Sequence, residues 1–498
     1  METQSFLESN WTTLCLFSLT VVVIWTILKP GARGRLPKGP RPLPFFGNLL
    51  SFPEHDAFLN MLNELGKEYG PVYTIYLGNR PAVIVNGWEE IKEVTVRAGN
   101  DFGDRAESII FKSVNTKRLG IFDTRADEMW KQHRKFAHTT LRGMGFGKVS
   151  LEPLIQEEVN HLVKYFKSTG GSVIDPRTAL GVTSSNVICT LVMKRREEHG
   201  SDSASELMEN VRHLMVGNEG ALLTLVPSAW PIMQFSKKWR DLLSTWEVVK
   251  KIFNEQIESH QARLDAATGE PEIHDFLDAY LVHRKSDPDT FTIEALHFDL
   301  LDLFLAGTDT ISLTLSWAIK YLAVHTDVQQ KVHDEIKKIV GDQQVSMSHR
   351  GQLPYTEATV LEIQRLASVA PIVPRMTVKD TSAGGQNIPE GTEVLLNLWS
   401  LHRDPDVWTD PDKFNPERFL EDDGTVVKQP KNFLPFSAGK RVCMGEQLAK
   451  MELFLFFTTI MQQVKFSLPP SESVSFEGFM DLTRDPAPFG IQIYPWND

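Results

Sequence analysis

The sequence predicts a mainly α-helical fold with small β-sheets, set behind an N-terminal transmembrane anchor helix. Three observations predict it. Helical periodicity dominates: it is clearest over 292–325 and 447–457, and 153–290 read as mostly helical. Strand-like alternation is confined to short stretches at 72–77, 82–85, 388–398 and 489–495. Residues 11–28 carry no charge. Length alone, 498 residues, would allow about three domains. No long linker or low-complexity tract divides the chain, however, and 42% hydrophobic content with mixed charge supports one large core. The net charge of −12 argues against nucleic-acid binding. Cys15, Cys189 and Cys443 are spaced too widely for a usual zinc motif or a disulfide framework, which points to a reducing compartment. Cys15 and Cys189 lie in apolar runs and read as packing residues.

The anchor, residues 11–28, is just long enough to cross a bilayer. Trp11 and Trp25 sit near its ends, as interfacial aromatics do. Lys29, Arg33 and Arg35 follow it, and Glu2 and Glu8 precede it, which predicts a lumenal N-terminus and a cytosolic remainder. The segment before it has no basic residue, and no small-x-small cleavage site is evident, which disfavours a cleaved signal; it is neither Arg-rich nor poor in acids, as a mitochondrial presequence would be. Residues 29–48 form a basic and proline-rich hinge, stiffened by the run Pro37-Lys-Gly-Pro-Arg-Pro-Leu-Pro44.

Beyond the hinge, Gly78-Asn79 predicts a hairpin between 72–77 and 82–85. Residues 101–129 are polar and irregular. Trp130 and Arg134, four apart, share one helix face, so an indole N–H and a guanidinium can reach the same acidic group. Lys131, His133, Lys135, Arg142 and Lys148 make this region basic, which suits either a solvated face or a docking surface for an acidic partner. Residues 222–235 are apolar and loop-like, equally suited to core packing and to a membrane or ligand surface. The pattern over 292–325 spans roughly 50 Å of helix. Ala306-Gly-Thr-Asp-Thr310 interrupts it, and Gly307, costing about 1 kcal/mol relative to alanine, suggests that something approaches the backbone there. Asp309 and Thr310 place an acid and an alcohol at that opening, able to pass protons with ordered water. The alternative is a threonine bonded back to the carbonyl four residues earlier. Thr326-Asp-Val-Gln329 reads as a capping box, and Pro354 as a helix first turn.

Residues 433–446 read Phe-Leu-Pro-Phe-Ser-Ala-Gly-Lys-Arg-Val-Cys-Met-Gly-Glu. Cys443 falls where loop turns into helix, a position that lowers a thiol pKa. A thiolate is the strong electron-donating axial ligand that a haem iron requires. Gly439 and Gly445 let the backbone approach a flat ring, Arg441 can pair with a propionate, and Phe436 can shield the sulfur.

The stretch matches Phe-x-x-Gly-x-Arg-x-Cys-x-Gly without a departure, and on it the chain is identified as resembling the cytochrome P450 superfamily. Residues 441–455 resemble microsomal family 2, and within it the U subfamily of long-chain fatty-acid hydroxylases. The likeness runs from residue 37 and is strongest at 130–153, 299–310, 354–366 and 388–461. It implies the P450 fold, with one haem-thiolate monooxygenase domain over 49–498, held at the endoplasmic reticulum membrane and facing the cytosol. It also implies haem b ligated by Cys443. Trp130, Arg134, Arg375 and Arg441 would serve the propionates, Ala306 would line the haem, and Asp309 and Thr310 would guide protons. Glu362, Arg365 and Arg418 would form a buried structural network. The implied partners are NADPH–cytochrome P450 reductase, cytochrome b5 as a second donor, O2 and a lipophilic substrate. Two departures bear on the substrate. No Tyr-Gly pair precedes Trp130, and Arg375 replaces the more usual histidine in a shortened loop. A fatty acid is the expected substrate; a steroid or foreign lipophile is the alternative. From another class, a haem isomerase or ligand-binding protein would need neither Thr310 nor an electron donor.

Overall fold

The computed structural model describes residues 36–498 apart from 45, 107–113, 200–209, 212–213, 215–235, 426, 471–473, 481 and 497–498, together with 11, 13 and 16–20. Most of the predicted anchor, much of the hinge, Cys15 and the apolar stretch 222–235 therefore lie outside the described residues. Among the described residues, no helix is long and apolar enough to cross a membrane.

Helix α1 (His55–Tyr69) leads into strands β1 (Val72–Leu77) and β2 (Arg80–Val85). They pair antiparallel through Leu77 and Arg80 around a two-residue turn, with Gly78 at φ 65°. Such a turn requires a residue tolerant of positive φ. Helix α2 (Glu128–Gly143) starts where the Asp127 carboxylate accepts the Trp130 N–H at 2.9 Å. Helices α3 (Glu152–Ser168), α4 (Arg177–Met193), α5 (Lys237–Ala266), α6 (Phe276–Arg284), α7 (Ile293–Val324), α8 (Thr326–Ile339) and α9 (Pro354–Ala367) follow. Strands β3 (Ile372–Met376), β4 (Thr381–Ala383), β5 (Gln386–Ile388) and β6 (Glu393–Asn397) come next. The main sheet runs β1-β2-β6-β3, with β2 and β6 parallel. Helix α10 (Glu446–Gln463) passes directly into β7 (Val464–Ser467), which pairs with β10 (Gln492–Pro495); β8 (Gly478–Met480) and β9 (Arg484–Pro486) form a small hairpin.

Helix α7 is buried on nearly every side, as its apolar run requires. Its N-terminal half packs with α2, α5 and α6, and its C-terminal half with α3, α8, α9 and α10. Each fully buried Leu or Phe there contributes about 1.5–3 kcal/mol. Ala306 is exposed and Gly307, Asp309 and Thr310 are half-buried, so the 306–310 stretch falls where the two clusters meet.

Two local expectations change. The predicted strand 388–398 is split by a turn at Gly391 (φ 71°) and ends in a short helix from Leu398. The Thr326–Gln329 capping box does not form: Thr326 is the first helical residue, and no side chain caps α8. The Gln329 side chain instead donates to the carbonyls of Leu322 (2.9 Å) and Phe466 (3.2 Å) and accepts the Phe466 N–H (2.7 Å). A buried amide spends its bonds where backbone groups would otherwise go unpaired.

Candidate active site

The cysteine turn is built by main-chain bonds. The Cys443 N–H donates to the Phe436 carbonyl (3.1 Å) and the Val442 N–H to Gly439 (3.0 Å), and Gly445 caps α10. Cys443 retains exposed surface, yet enough protein packs around the sulfur for burial to push its thiol up. The N–H groups of Gly445 and Glu446 and the Arg134 charge pull the other way without prevailing. The expected lowering by the helix N-terminus is thus outweighed. A metal ion bound at sulfur would deprotonate the thiol outright.

The two glycines of the turn differ. Gly439 has φ 76°, and an added Cβ would lie 1.8 Å from the Thr95 carbonyl oxygen. Its requirement comes from the protein behind the turn. At Gly445 a Cβ would meet Cys443 Sγ at an ordinary 3.8 Å. Gly439→Ala is expected to cost about 1–3 kcal/mol in strain and to lower haem retention, read by pigment content per polypeptide; unchanged content would show that the turn adapts.

Around the turn lies a cluster of guanidiniums. Arg441 donates to the carbonyls of Gly103 (3.0 Å), Ile121 (3.3 Å) and Thr124 (2.7 Å), and stacks 3.8 Å from the Trp130 ring. Arg134 donates to the Val442 carbonyl at 2.6 Å. Arg375, on β3, and Arg105 both donate to the Pro374 carbonyl, at 2.9 and 2.6 Å. Burial pushes all four down, Arg105 to about 10, Arg441 to about 9 and Arg375 well below its ordinary value. Mutual repulsion adds to the effect at Arg105, Arg375 and Arg441. Buried Arg375 Nη2 and Arg105 Nε have no partner among the described residues. Desolvated, mutually repelling cations with unused donors fit a dianionic group, and the two propionates of haem b are such a group. One expected contact differs: the Trp130 indole N–H donates to the Ile121 carbonyl at 3.1 Å.

The motifs do not point to Arg105, which sits in the irregular stretch 101–129, where no periodicity marks burial. They also leave out Asp302. Its carboxylate accepts the N–H groups of Ile121 (2.7 Å) and Phe122 (2.9 Å), fixing the loop whose Ile121 carbonyl serves both Trp130 and Arg441. Burial pushes this carboxyl up to about 7 against the pull of those two N–H groups. An acid inside the apolar run Leu300-Leu-Asp-Leu-Phe is the signal that would have found it.

On α7 the Thr310 hydroxyl donates to the Ala306 carbonyl at 2.8 Å, the local helix bond weighed above. Its oxygen can still accept from water. The Thr483 hydroxyl donates to Asp309 at 2.8 Å. Gly307 is explained by packing: a Cβ would lie 2.9 Å from the Ile188 side chain of α4. Glu362, Arg365 and Arg418 come together as one buried cluster, with Arg365 Nε 2.7 Å and Arg418 Nε 3.0 Å from the Glu362 carboxylate. The basic cluster on α2 is only partly superficial. Lys131, Lys135, Arg142 and Lys148 are exposed, whereas His133 is buried at 1%.

A cysteine at a helix N-terminus, unused buried guanidiniums around it, and an acid–alcohol pair on a central helix fit a haem-thiolate oxidoreductase. The chain belongs to the cytochrome P450 family, whose model matches residues 37–493. Cytochrome P450 2U1 of Rattus norvegicus is 36% identical over 96% of this chain and 94% of its own length. Cytochrome P450 2U1 of Homo sapiens is 34% identical, covering 98% and 94%. Cytochrome P450 2J1 of Oryctolagus cuniculus is 37% identical, covering 97% and 96%. The chain is thus a family 2 P450 monooxygenase near subfamily U, an oxidoreductase of a family that uses haem b with a cysteine thiolate as axial ligand.

Proposed function

We propose that this protein hydroxylates a long-chain fatty acid at or next to its terminal methyl group, using O2 and electrons passed singly from NADPH by cytochrome P450 reductase. The observation that carries the substrate is the likeness to the cytochrome P450 2U1 proteins along nearly the whole chain. Haem b, when bound, supplies the oxygen activation. Cys443 holds the iron. Arg134, Arg375 and Arg441 hold the propionates, with Arg105 beside them, and Trp130 acts by stacking on Arg441. Ala306 lines the haem. Asp309 and Thr310 hold and move the protons that oxygen cleavage consumes. The exposed lysines and Arg142 of α2 and its flank form the docking face for the reductase and for cytochrome b5. Residues 11–28 anchor the chain in the endoplasmic reticulum membrane, 29–48 form the hinge, and 49–498 work at its cytosolic face.

A steroid or foreign lipophile is the second reading, kept because the departures at 120–129 and 371–375 weaken the transfer of the fatty-acid substrate from the relatives. The test is the product profile of the purified enzyme with reductase and NADPH; a hydroxysteroid without any hydroxy fatty acid would replace the first reading with the second. In the same assay Thr310→Ala should lower product formed per NADPH consumed by about tenfold or more, with hydrogen peroxide making up the difference. Unchanged coupling would remove Thr310 from the proton path.

A further inference from the structure

Helix α2 carries Trp130, His133 and Arg134, with His133 three residues on from Trp130 and buried like it. His133 and Asp299, the latter on α7, are each only 1% exposed. The imidazole ring stacks on Phe291 at 4.7 Å and lies 6.1 Å from the Tyr280 ring. Its Nε2 is 3.1 Å from the Thr290 carbonyl oxygen, and its Nδ1 is 2.7 Å from Asp299 Oδ2. A carbonyl only accepts, so Nε2 carries a hydrogen. The Nδ1–Oδ2 contact then needs one more proton, on the nitrogen or on the oxygen. Asp299 Oδ1 is buried without a hydrogen-bond partner, so a bare carboxylate there is costly unless the pair keeps that proton.

We infer that His133 and Asp299 are positioning residues: sharing one proton, they clamp α2 onto α7 and thereby hold Arg134 at the Cys443 turn. Arg134 is the next residue along α2, and it bonds to the Val442 carbonyl beside the cysteine. Its charge also favours the Cys443 thiolate. The effect on Cys443 rests on the ligand role proposed above, whereas the clamp does not.

The proton linkage has a definite sign. Burial opposes charge on His133, but the hydrogen bond and charge of Asp299, the Thr290 carbonyl and Asp287 raise its pKa overall. Burial likewise raises Asp299, against the pull of His133. The other ionisable groups facing the pair are Tyr280 from α6, itself influenced by Arg284, and Asp302 one turn along α7. The folded pair therefore holds more proton than the unfolded chain. Its stabilisation is complete below the ordinary histidine pKa of about 6.5 and fades as pH rises through the raised folded value.

The test is thermal unfolding of the full-length holoprotein at pH 6, 7 and 9, with the carbon monoxide difference spectrum recorded beside it. His133→Leu and Asp299→Leu should each lower the midpoint by about 3 °C at pH 6 to 7, and the double variant should recover most of that loss. The gap between wild type and His133→Gln should close by pH 9. Each single variant should convert more of the red-shifted band to the unshifted form, and the double variant less. Additive losses in the double variant, or a gap that does not change with pH, would overturn the clamp. An intact red-shifted band in Cys443→Ser would overturn the ligand reading and leave the clamp standing.

Discussion

Cys443→Ser is expected to abolish the strongly red-shifted Soret band of the reduced carbon monoxide complex and to reduce hydroxylation by at least about a thousandfold, a barrier increase of about 4 kcal/mol. The loss is electronic. The turn itself is held by the Cys443 N–H to Phe436 carbonyl bond and by the Val442 N–H, and serine leaves both intact. On the ligand role proposed for Cys443, what disappears is the polarisable thiolate, the donor that would favour oxygen cleavage at a bound haem. Burial pushes the Cys443 thiol up in the protein alone, so ligation must displace its proton. Loading of the wild-type protein with haem should accordingly strengthen as pH rises toward the thiol pKa, and loading of the serine variant should lack that dependence. A serine variant that folds, binds haem and keeps the red-shifted band would mean that another residue ligates the iron. Loss of haem altogether would show that the thiolate bond, beyond the arginine cluster, is needed for retention.

Much of the fold was legible because it depends on local pattern. The apolar run of α7 could only be a central helix, and Gly78-Asn79 could only join two short strands tightly. The cysteine turn was legible for a different reason: Phe436, Gly439, Arg441, Cys443 and Gly445 stand at fixed offsets in one segment. Features decided by distant parts of the chain were not legible. His133 looks like one more surface cation until Asp299, 166 residues away, is folded against it. Gly307 suggested a ligand's approach, and Ile188 of a neighbouring helix is what approaches. Gln329 completes a capping pattern in sequence, yet a strand far along the chain takes its bonds. The thiol illustrates a contest of magnitudes. The helix end favours the thiolate, as the motif predicts, but desolvation outweighs it.

Glu362→Ala is expected to destabilise the protein by about 3–5 kcal/mol, because it strands a buried guanidinium. Glu362 and Arg365 are fully buried. The carboxylate accepts from Arg365 Nε (2.7 Å) and Nη2 (2.9 Å), from Arg418 Nε (3.0 Å) and from the Asn415 N–H (2.9 Å). Without it Arg365 keeps main-chain carbonyls, among them His402 (2.6 Å) and Pro411 (2.7 Å), and the Trp408 ring 5.1 Å away, but no carboxylate among the described residues. The damage has a route to the haem side. The His402 imidazole, held neutral by burial, accepts the Leu434 N–H at 3.2 Å and donates through Nδ1 to Ser368. Leu434 opens the segment that becomes the cysteine turn. The variant should therefore lose stability and haem together, read as a lower urea midpoint and less pigment per polypeptide. Replacing Glu362 and Arg365 together by Leu and Met should recover part of the stability, since the fully buried pair goes together and Arg418 keeps the carbonyls of Thr409 (2.8 Å) and Lys413 (3.0 Å). If the single variant unfolds at the wild-type urea concentration, the cluster is merely tolerated by the core. If stability falls while haem content holds, the route through His402 fails and the network acts on the helical core alone.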